Sequence, residues 1–264
     1  PKTNSMPYRI GILGSGNVAT QLIEAFSNTI HKPEYIVGRN KQKIASLSQR
    51  FGCRTSNLDK IPADVDIWIL AIKDDSINEV AKKFLGTKSL VVHTSGATSI
   101  EVLSSGIHRS GVFYPLQSIT SVRKVDWNLV PILIESSRLE DLKLLKELGE
   151  SISNAVIQMN SQKREKVHLA AVILNNFTNM LVSDAYDWLG RENIPFSIFL
   201  PLLKETVDRL ETSDPANLQT GPARRKDQGV IDKHLELLAN NEDLKGLYTY
   251  FSRRIISKFY GDQL

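Results

Sequence analysis

Short, nearly uninterrupted apolar runs alternate with segments of helical period through the first part of the chain. The runs are residues 9–13, 34–38, 66–72, 90–94, 111–114, 130–135 and 155–157, with a shorter one near Arg54 and Thr55. Buried parallel strands read this way, because both of their faces meet another layer. Residues 18–27, 41–51 and 141–152 carry amphipathic helical spacing, and Gly52 ends the second of these. Ser76 and Glu79 stand at capping-box spacing and predict a helix start at Ser76. Strands alternating with helices predict an α/β fold, a doubly wound and mostly parallel sheet.

From Ser161 onward the period changes. Residues 163–189, 196–211, 228–239 and 243–259 read as helices, and no strand pattern recurs. The chain therefore predicts two domains, residues 1–159 with the sheet and residues 160–264 all-helical, behind a loose leader at residues 1–7. The first helix of the second half is apolar nearly all round from His168 to Leu181. Such a helix is expected to be central in its domain. At about 100° per residue, His168, Asn175 and Asn179 share one face, a polar stripe on a surface that should be buried. Buried imidazoles and amides need partners, so the stripe is either a satisfied core network or a ligand or subunit contact. Ala170 and Ala171 leave room for close approach in either case.

The first apolar run changes the picture most. It leads into Gly14-Ser15-Gly16-Asn17-Val18-Ala19, and a helix pattern follows at once. In a strand–turn–helix context this GxGxxA spacing is the dinucleotide fingerprint. Gly14 permits the tight turn, Gly16 lets the backbone approach a pyrophosphate, and Ala19 lets the helix pack close to the strand. The phosphates would sit on free N–H groups at the helix N-terminus. An empty structural turn is the alternative. A domain selective for NAD places a carboxylate at the end of the second strand to hold the ribose 2′-hydroxyl. Here that place holds Gly38-Arg39-Asn40, with Lys41 and Lys43 close behind. A guanidinium without a carboxylate favours NADP over NAD; an exposed basic helix start is the other reading. Ligands of such sheets bind beyond the strand C-terminal ends. That rule adds Ala71, Ile72, Lys73 and Asp74, then Thr94, Ser95 and Gly96, then Tyr114 to Ser118 with Gln117 among them.

Net charge is +4 over 264 residues, a mild excess spread along the chain, which reads as a solvated surface. No basic block interleaved with aromatics appears, so nucleic acid is not an expected partner. A single cysteine, Cys53, permits no internal disulfide and fits a reducing cytoplasm. No apolar run is long enough to span a bilayer, and no signal-peptide core or metal-ligand spacing is seen. Residues 219–227 join a Gly-Pro turn to Arg224, Arg225, Lys226 and Asp227. They form either a solvated loop with a helix-capping Asp, or an anion-recognition loop in which an arginine grips a carboxylate or phosphate.

Four segments together resemble one known family: His93-Thr94-Ser95-Gly96, Tyr114-Pro115-Leu116-Gln117-Ser118, His168 to Ala171 with Asn175-Asn176-Phe177, and Thr220-Gly221-Pro222 with Arg225 and Asp227. That family pairs a Rossmann-like NADP-binding domain with a helical C-terminal domain of unknown function. More distantly the chain is similar to deazaflavin-dependent NADP reductases, pyrroline-carboxylate reductases and 6-phosphogluconate-type dehydrogenases. The resemblance spans nearly the whole chain and implies a homodimeric oxidoreductase without naming a substrate. Many members have His where this chain has Tyr114, and relatives tend to have proline at Lys73. Hydroxyacid dehydrogenases of the wider group use a lysine four residues before the helix asparagine. Here that position is Ala171, so their mechanism does not carry over.

The expected activity is hydride transfer between NADPH and a small carbonyl or imine compound in a cleft between the domains. Gly14, Ser15, Gly16, Asn17, Val18, Arg39, Ala71, Ile72, Lys73, Thr94 and Ser95 are expected to hold the cofactor. His168 is the candidate acid or base and Asn175 orients the substrate, with Ser95 and Gln117 at the nicotinamide end or the substrate oxygen. Tyr114, Asn179, Thr220 and Arg225 complete the substrate contacts. The alternative is an NADP-binding sensor that passes a signal to a partner without turnover.

Overall fold

The structure, a computed structural model, describes residues 6–104 and 106–261, so most of the expected leader lies outside the described residues. Eight strands form one sheet in the order β3-β2-β1-β4-β5-β6-β7-β8. They are β1 (Ile10–Leu13), β2 (Pro33–Val37), β3 (Arg54–Ser56), β4 (Ile67–Leu70), β5 (Leu90–His93), β6 (Ser110–Pro115), β7 (Ile132–Ser136) and β8 (Val156–Gln158). Every pairing is parallel except β6 with β7. The order reverses at β1, between β2 and β4, which is the doubly wound arrangement with its crevice at that switch point. The chain joining β6 to β7 contains only the 3-10 turn Trp127–Leu129, and an antiparallel partner needs no helical crossover.

The helices of this unit are α1 (Asn17–Ser27), α2 (Lys41–Phe51), α3 (Asp74–Ala81), α4 (Glu101–Ser104) and α5 (Leu139–Glu150). Strand alternation splits the core in two. Ile10, Ile12, Ile67, Ile69 and Val92 meet Leu22, Ile23 and Phe26 of α1 and Leu145 and Leu148 of α5. Leu13, Trp68, Leu70 and Val91 meet Ile77 and Ala81 of α3, with Phe84 and Leu103. Each such side chain gains about 1.5–3 kcal/mol on full burial. Cys53 is buried, and burial pushes its thiol up to about 11, as befits an inert structural residue. The capping box is not formed. Helix α3 begins two residues before Ser76, and Asp74 and Asp75 supply its first-turn negative charge.

A long helical run follows as α6 (Ser161–Ala171), a π-helical segment (Val172–Phe177) and α7 (Thr178–Arg191). The remaining helices are α8 (Leu200–Asp208), α9 (Pro222–Arg225), α10 (Gln228–Leu237) and α11 (Glu242–Tyr260). The chain forms two compact units, residues 1–177 and 178–264. The sheet ends where the sequence places it, yet α6 stays with the sheet unit rather than with the later helices. The cause is polar. The Arg164 guanidinium is fully buried, pairs with Glu135 on β7, and donates to the Thr98 carbonyl and to Ser161 Oγ. Ser161 itself donates to Glu135 from its backbone and hydroxyl, at 3.0 and 2.8 Å.

Two expectations about this helix change. It is not buried: Leu169, Ile173, Leu174, Phe177 and Met180 are all exposed. Nor does one α-helical stripe run through it. Bonding of i→i+5 type over residues 172–177 places about one extra residue in the turn. Asn175, inside this segment, is thereby moved off the face expected relative to His168. Removing one partner of a buried ion pair strands the other charge, at about 3–5 kcal/mol. Arg164→Ala is therefore expected to lower stability by that amount in denaturant unfolding, and an unchanged midpoint would show that the pair does not hold α6 to the sheet.

Candidate functional site

The glycine turn is fixed by a backbone contact. Gly14 has φ of +140°, and a Cβ there would overlap the carbonyl oxygen of Ala71. Its N–H donates to the Val37 carbonyl at 2.8 Å, and Ala71 N–H donates to Leu13 at 2.8 Å. The turn is thus locked to both neighbours of β1 at the switch point. Gly16 is the N-cap of α1, no side chain caps that helix, and its first turn carries no acidic residue. A Cβ on Gly16 would meet nothing within 4 Å. Free N–H groups, the positive end of the helix dipole and open space above Gly16 form a cradle for a phosphate group.

A cavity of about 540 Å³ opens on this cradle. It is lined by Gly14, Ser15, Gly16, Asn17, Val18, Arg39, Ala71, Ile72, Lys73 and Thr94, ten of the expected cofactor residues, and also by Leu13, Gly38, Asn40, Leu58, Ser76, Glu79 and Val80. The sequence singled out neither Leu58 nor Val80, since an apolar wall residue carries no local signature. Asn40 caps α2 through a bond from Lys43 N–H at 3.0 Å. Neither Lys41 nor Lys43 lines the cavity, so Arg39 is the cation at the β2 end and Lys73 the one at the β4 end.

Ser95 does not line this cavity. Its hydroxyl donates to Asp74 at 2.7 Å, lies 2.9 Å from Thr98 Oγ1, and accepts from the N–H groups of Ala97 and Thr98. Its bonding capacity is spent on shaping the loop after β5. Gln117 is exposed and accepts from Ser118 N–H at 2.9 Å. Asn17 Nδ2 reaches the Ile119 carbonyl at 3.5 Å, which ties the loop after β6 to the start of α1.

Two residues beyond Thr94 the loop meets a second constellation. Tyr114 Oη lies 3.1 Å from His168 Nδ1, with the rings edge-on at a centroid distance of 6.0 Å. A Cβ on Gly96 would fall 2.5 Å from His168 Nδ1 and 2.7 Å from Tyr114 Cζ, so only glycine leaves room for the pair. Burial raises the Tyr114 hydroxyl above its ordinary range, Arg164 works against this, and Asp74 adds to it. Asn175 is exposed within the π-helical segment.

In the helical unit, Arg224 stacks on Phe259, and its guanidinium and backbone carbonyl bond the Tyr260 hydroxyl. Lys226 lies 4.1 Å above the Tyr260 ring. Asp227 caps α10 through Val230 N–H. Of the three consecutive cations, Arg225 is left exposed and makes no ion pair among the described residues. Thr220 lines an apolar cavity of about 550 Å³ with Pro222, His234 and Tyr248, the last two bonded at 2.9 Å. Asn179 is exposed on α7. Among the described residues no cluster of metal-ligating side chains exists, and no helix is long and apolar enough to cross a membrane.

Residues 9–96 match the family described as "NADP oxidoreductase coenzyme F420-dependent", and residues 130–255 match "Domain of unknown function (DUF2520)". The crystal structure of a "putative NADP oxidoreductase" from Bacteroides fragilis is 32% identical, with 96% of this chain and 99% of that one covered and a TM-score of 0.88. The chain belongs to this family. It pairs a Rossmann-type NADP oxidoreductase domain with the DUF2520 domain, and the second match takes in β7 and β8 together with the helices that follow. The same fold appears in an imine reductase from Myxococcus stipitatus, solved in complex with NADP+. It is 14% identical over 96% of each chain, with a TM-score of 0.68. A 1-pyrroline-5-carboxylate reductase from Streptococcus pyogenes is 16% identical, covers 96% of this chain and all of its own, and has a TM-score of 0.62. No curated protein matches the chain.

His93, at the head of the post-β5 loop of this NADP oxidoreductase fold, is fully buried and accepts from Ser95 N–H at 3.2 Å. Burial pushes its imidazole down to about 4, Arg164 adds to this, and the Ser99 backbone opposes it. The folded state therefore keeps His93 neutral where the unfolded chain, at about 6.5, takes up a proton. This contribution is intact above pH 6.5 and is lost as pH falls toward 4, on the order of 3 kcal/mol in total. Stability measured against pH should fall less steeply over that interval in His93→Asn than in the wild type; an identical acid limb would assign the loss to other groups.

Proposed function

We propose that the protein is an NADP-dependent oxidoreductase that transfers hydride between NADPH and a small carbonyl or imine compound. The observation that carries this reading is the cradle at α1. An uncapped helix N-terminus, a strained glycine turn and space above Gly16 open into one cavity with Arg39. These residues fit a dinucleotide phosphate bearing a further 2′-phosphate. Gly14, Ser15, Gly16 and the first N–H groups of α1 would hold the pyrophosphate, and Arg39 the 2′-phosphate. Ile72, Lys73 and Thr94 would line the path toward the nicotinamide. The dinucleotide, when bound, supplies the hydride.

The chain's own groups then orient the substrate and manage a proton. His168 is the proton-handling imidazole, joined to Tyr114, while Asn175 offers an amide to the substrate. Ser95 supports the site through the loop rather than through contact. The first test is calorimetry with NADPH and NADH. Wild-type protein should prefer NADPH. Arg39→Ala should lose roughly 1.5–3 kcal/mol of NADPH affinity, on the order of tenfold to a hundredfold, and little NADH affinity. Equal losses for both would remove Arg39 from 2′-phosphate recognition. Binding of NADPH with no loss of reduced-nicotinamide absorbance across keto acids, imines and flavin-like acceptors would favour the sensor instead.

We also propose that the working form is a homodimer. The reading is supported by the apolar residues left in water on the run from α6 to α7, and by Ile198, Leu200, Leu202, Val207 and Leu210, all exposed. In the helical unit the buried apolar residues, among those described, are Leu189, Ala223, Ile231 and Leu238. Within each unit, large apolar side chains exposed on successive helical turns mark a protein interface. Sedimentation velocity should show a dimer, and Leu174→Asp combined with Leu202→Asp should shift it to monomer; a wild-type monomer at micromolar concentration would rule the dimer out.

A further inference from the structure

We propose that Tyr114 is the proton donor to the substrate and that His168 stands behind it as the group that replaces the donated proton. This deepens the oxidoreductase reading and rests on it. The pair is built rather than incidental. Tyr114 projects from the end of β6 and His168 from α6, and their side chains meet at 3.1 Å over Gly96, where any side chain would force them apart. The loop carrying Gly96 is held on both sides, by Ser95 to Asp74 and by Thr98 to Arg164. The same loop begins at Thr94, which lines the dinucleotide cavity. The pair is therefore fixed to the loop that borders the cofactor site.

The chemistry follows from the bond. With His168 as imidazolium, Nδ1–H donates to Tyr114 Oη, which frees the hydroxyl proton to point at a substrate. The substrate carbon takes a hydride, and its C=N or C=O π pair takes the proton from Oη. The Nδ1 proton moves to Oη, and His168 is left neutral with its proton on Nε2. Its ring is only partly buried and regains the proton from water. The substrate is reduced, the dinucleotide is oxidised, and one proton passes from solvent to product. The charged and titratable groups around the pair are Arg164 on α6, Asp74 on α3, Glu135 on β7 paired with Arg164, and His93 at the end of β5. A phenol is protonated near neutrality and burial moves it further that way, so Tyr114 has a proton to give.

The test uses the full chain, NADPH, and a five-membered cyclic imine or an α-keto acid as probe. In the wild type, kcat should fall in one step as pH rises, and Tyr114→Phe should shift the His168 ring signals in imidazole NMR. Tyr114→Phe should bind NADPH as the wild type does, lose on the order of 10²-fold in kcat, and lose that pH step. His168→Asn should retain more kcat than Tyr114→Phe and also lose the step. Gly96→Ala, which drives a methyl between the rings, should lower kcat with NADPH affinity kept. A Tyr114→Phe enzyme with wild-type kcat and pH profile would overturn the relay alone. Wild-type protein that takes up NADPH and consumes none with either probe would overturn the oxidoreductase reading, and the relay with it.

Discussion

The approach of Gly14 to the Ala71 carbonyl is the constraint on which the rest of the sheet unit depends. It fixes β1 against β4 at the place where the strand order reverses, and it accepts no side chain at Gly14. Because the turn must be that tight, α1 starts immediately beyond it, with its free N–H groups facing the crevice. The positive φ costs a non-glycine residue on the order of 1–3 kcal/mol before any overlap is counted. Ala19, fully buried, keeps the helix close enough to the strand for this geometry to persist. One backbone contact therefore links strand order, helix position and the phosphate cradle.

A second device holds the other end of the crevice, and it is electrostatic. Arg164 reaches from α6 to a carboxylate on β7 and a carbonyl in the post-β5 loop. Buried ion pairs are poor sources of stability compared with apolar packing, but they tolerate few alternative arrangements. Here the arrangement they select also places His168 beside Tyr114 and keeps His93 neutral. Positioning of the loop is a more natural role for this charge than stabilisation of the fold.

Much of this was legible in the residues. The buried strands are read from their apolar runs because parallel strands face packed layers on both sides, and each predicted run lies on an observed strand. The glycine turn and Arg39 were legible because backbone chemistry leaves a fixed spacing. The network around Arg164 was not, since Lys163-Arg164-Glu165-Lys166 reads as a solvated face and only the tertiary partner Glu135 distinguishes Arg164. The π-helical segment left no local signature either, because i→i+5 bonding is chosen by packing rather than by propensity. Ser76 and Glu79 had the spacing of a cap, but Asp74 and Asp75 begin the helix earlier and complement its dipole.

Burial along α6 and the segment after it runs opposite to polarity. Arg164 is 0% exposed, while Leu174, ten positions on, is 74% exposed. The first turns lie against Glu135 and the Thr98 carbonyl, which need a cationic donor more than an apolar neighbour. The later turns meet no such acceptors and carry leucine, isoleucine and phenylalanine into water. Each large side chain left exposed forgoes up to about 1.5–3 kcal/mol of transfer free energy. Several of them together are comparable with the roughly 5–15 kcal/mol that keeps an ordinary domain folded. The dimer proposed above would recover part of that free energy by covering this surface. On that proposal the interface would begin on the helical segment that follows His168, and loss of the partner would be felt at the proposed proton relay as well as in the melting curve.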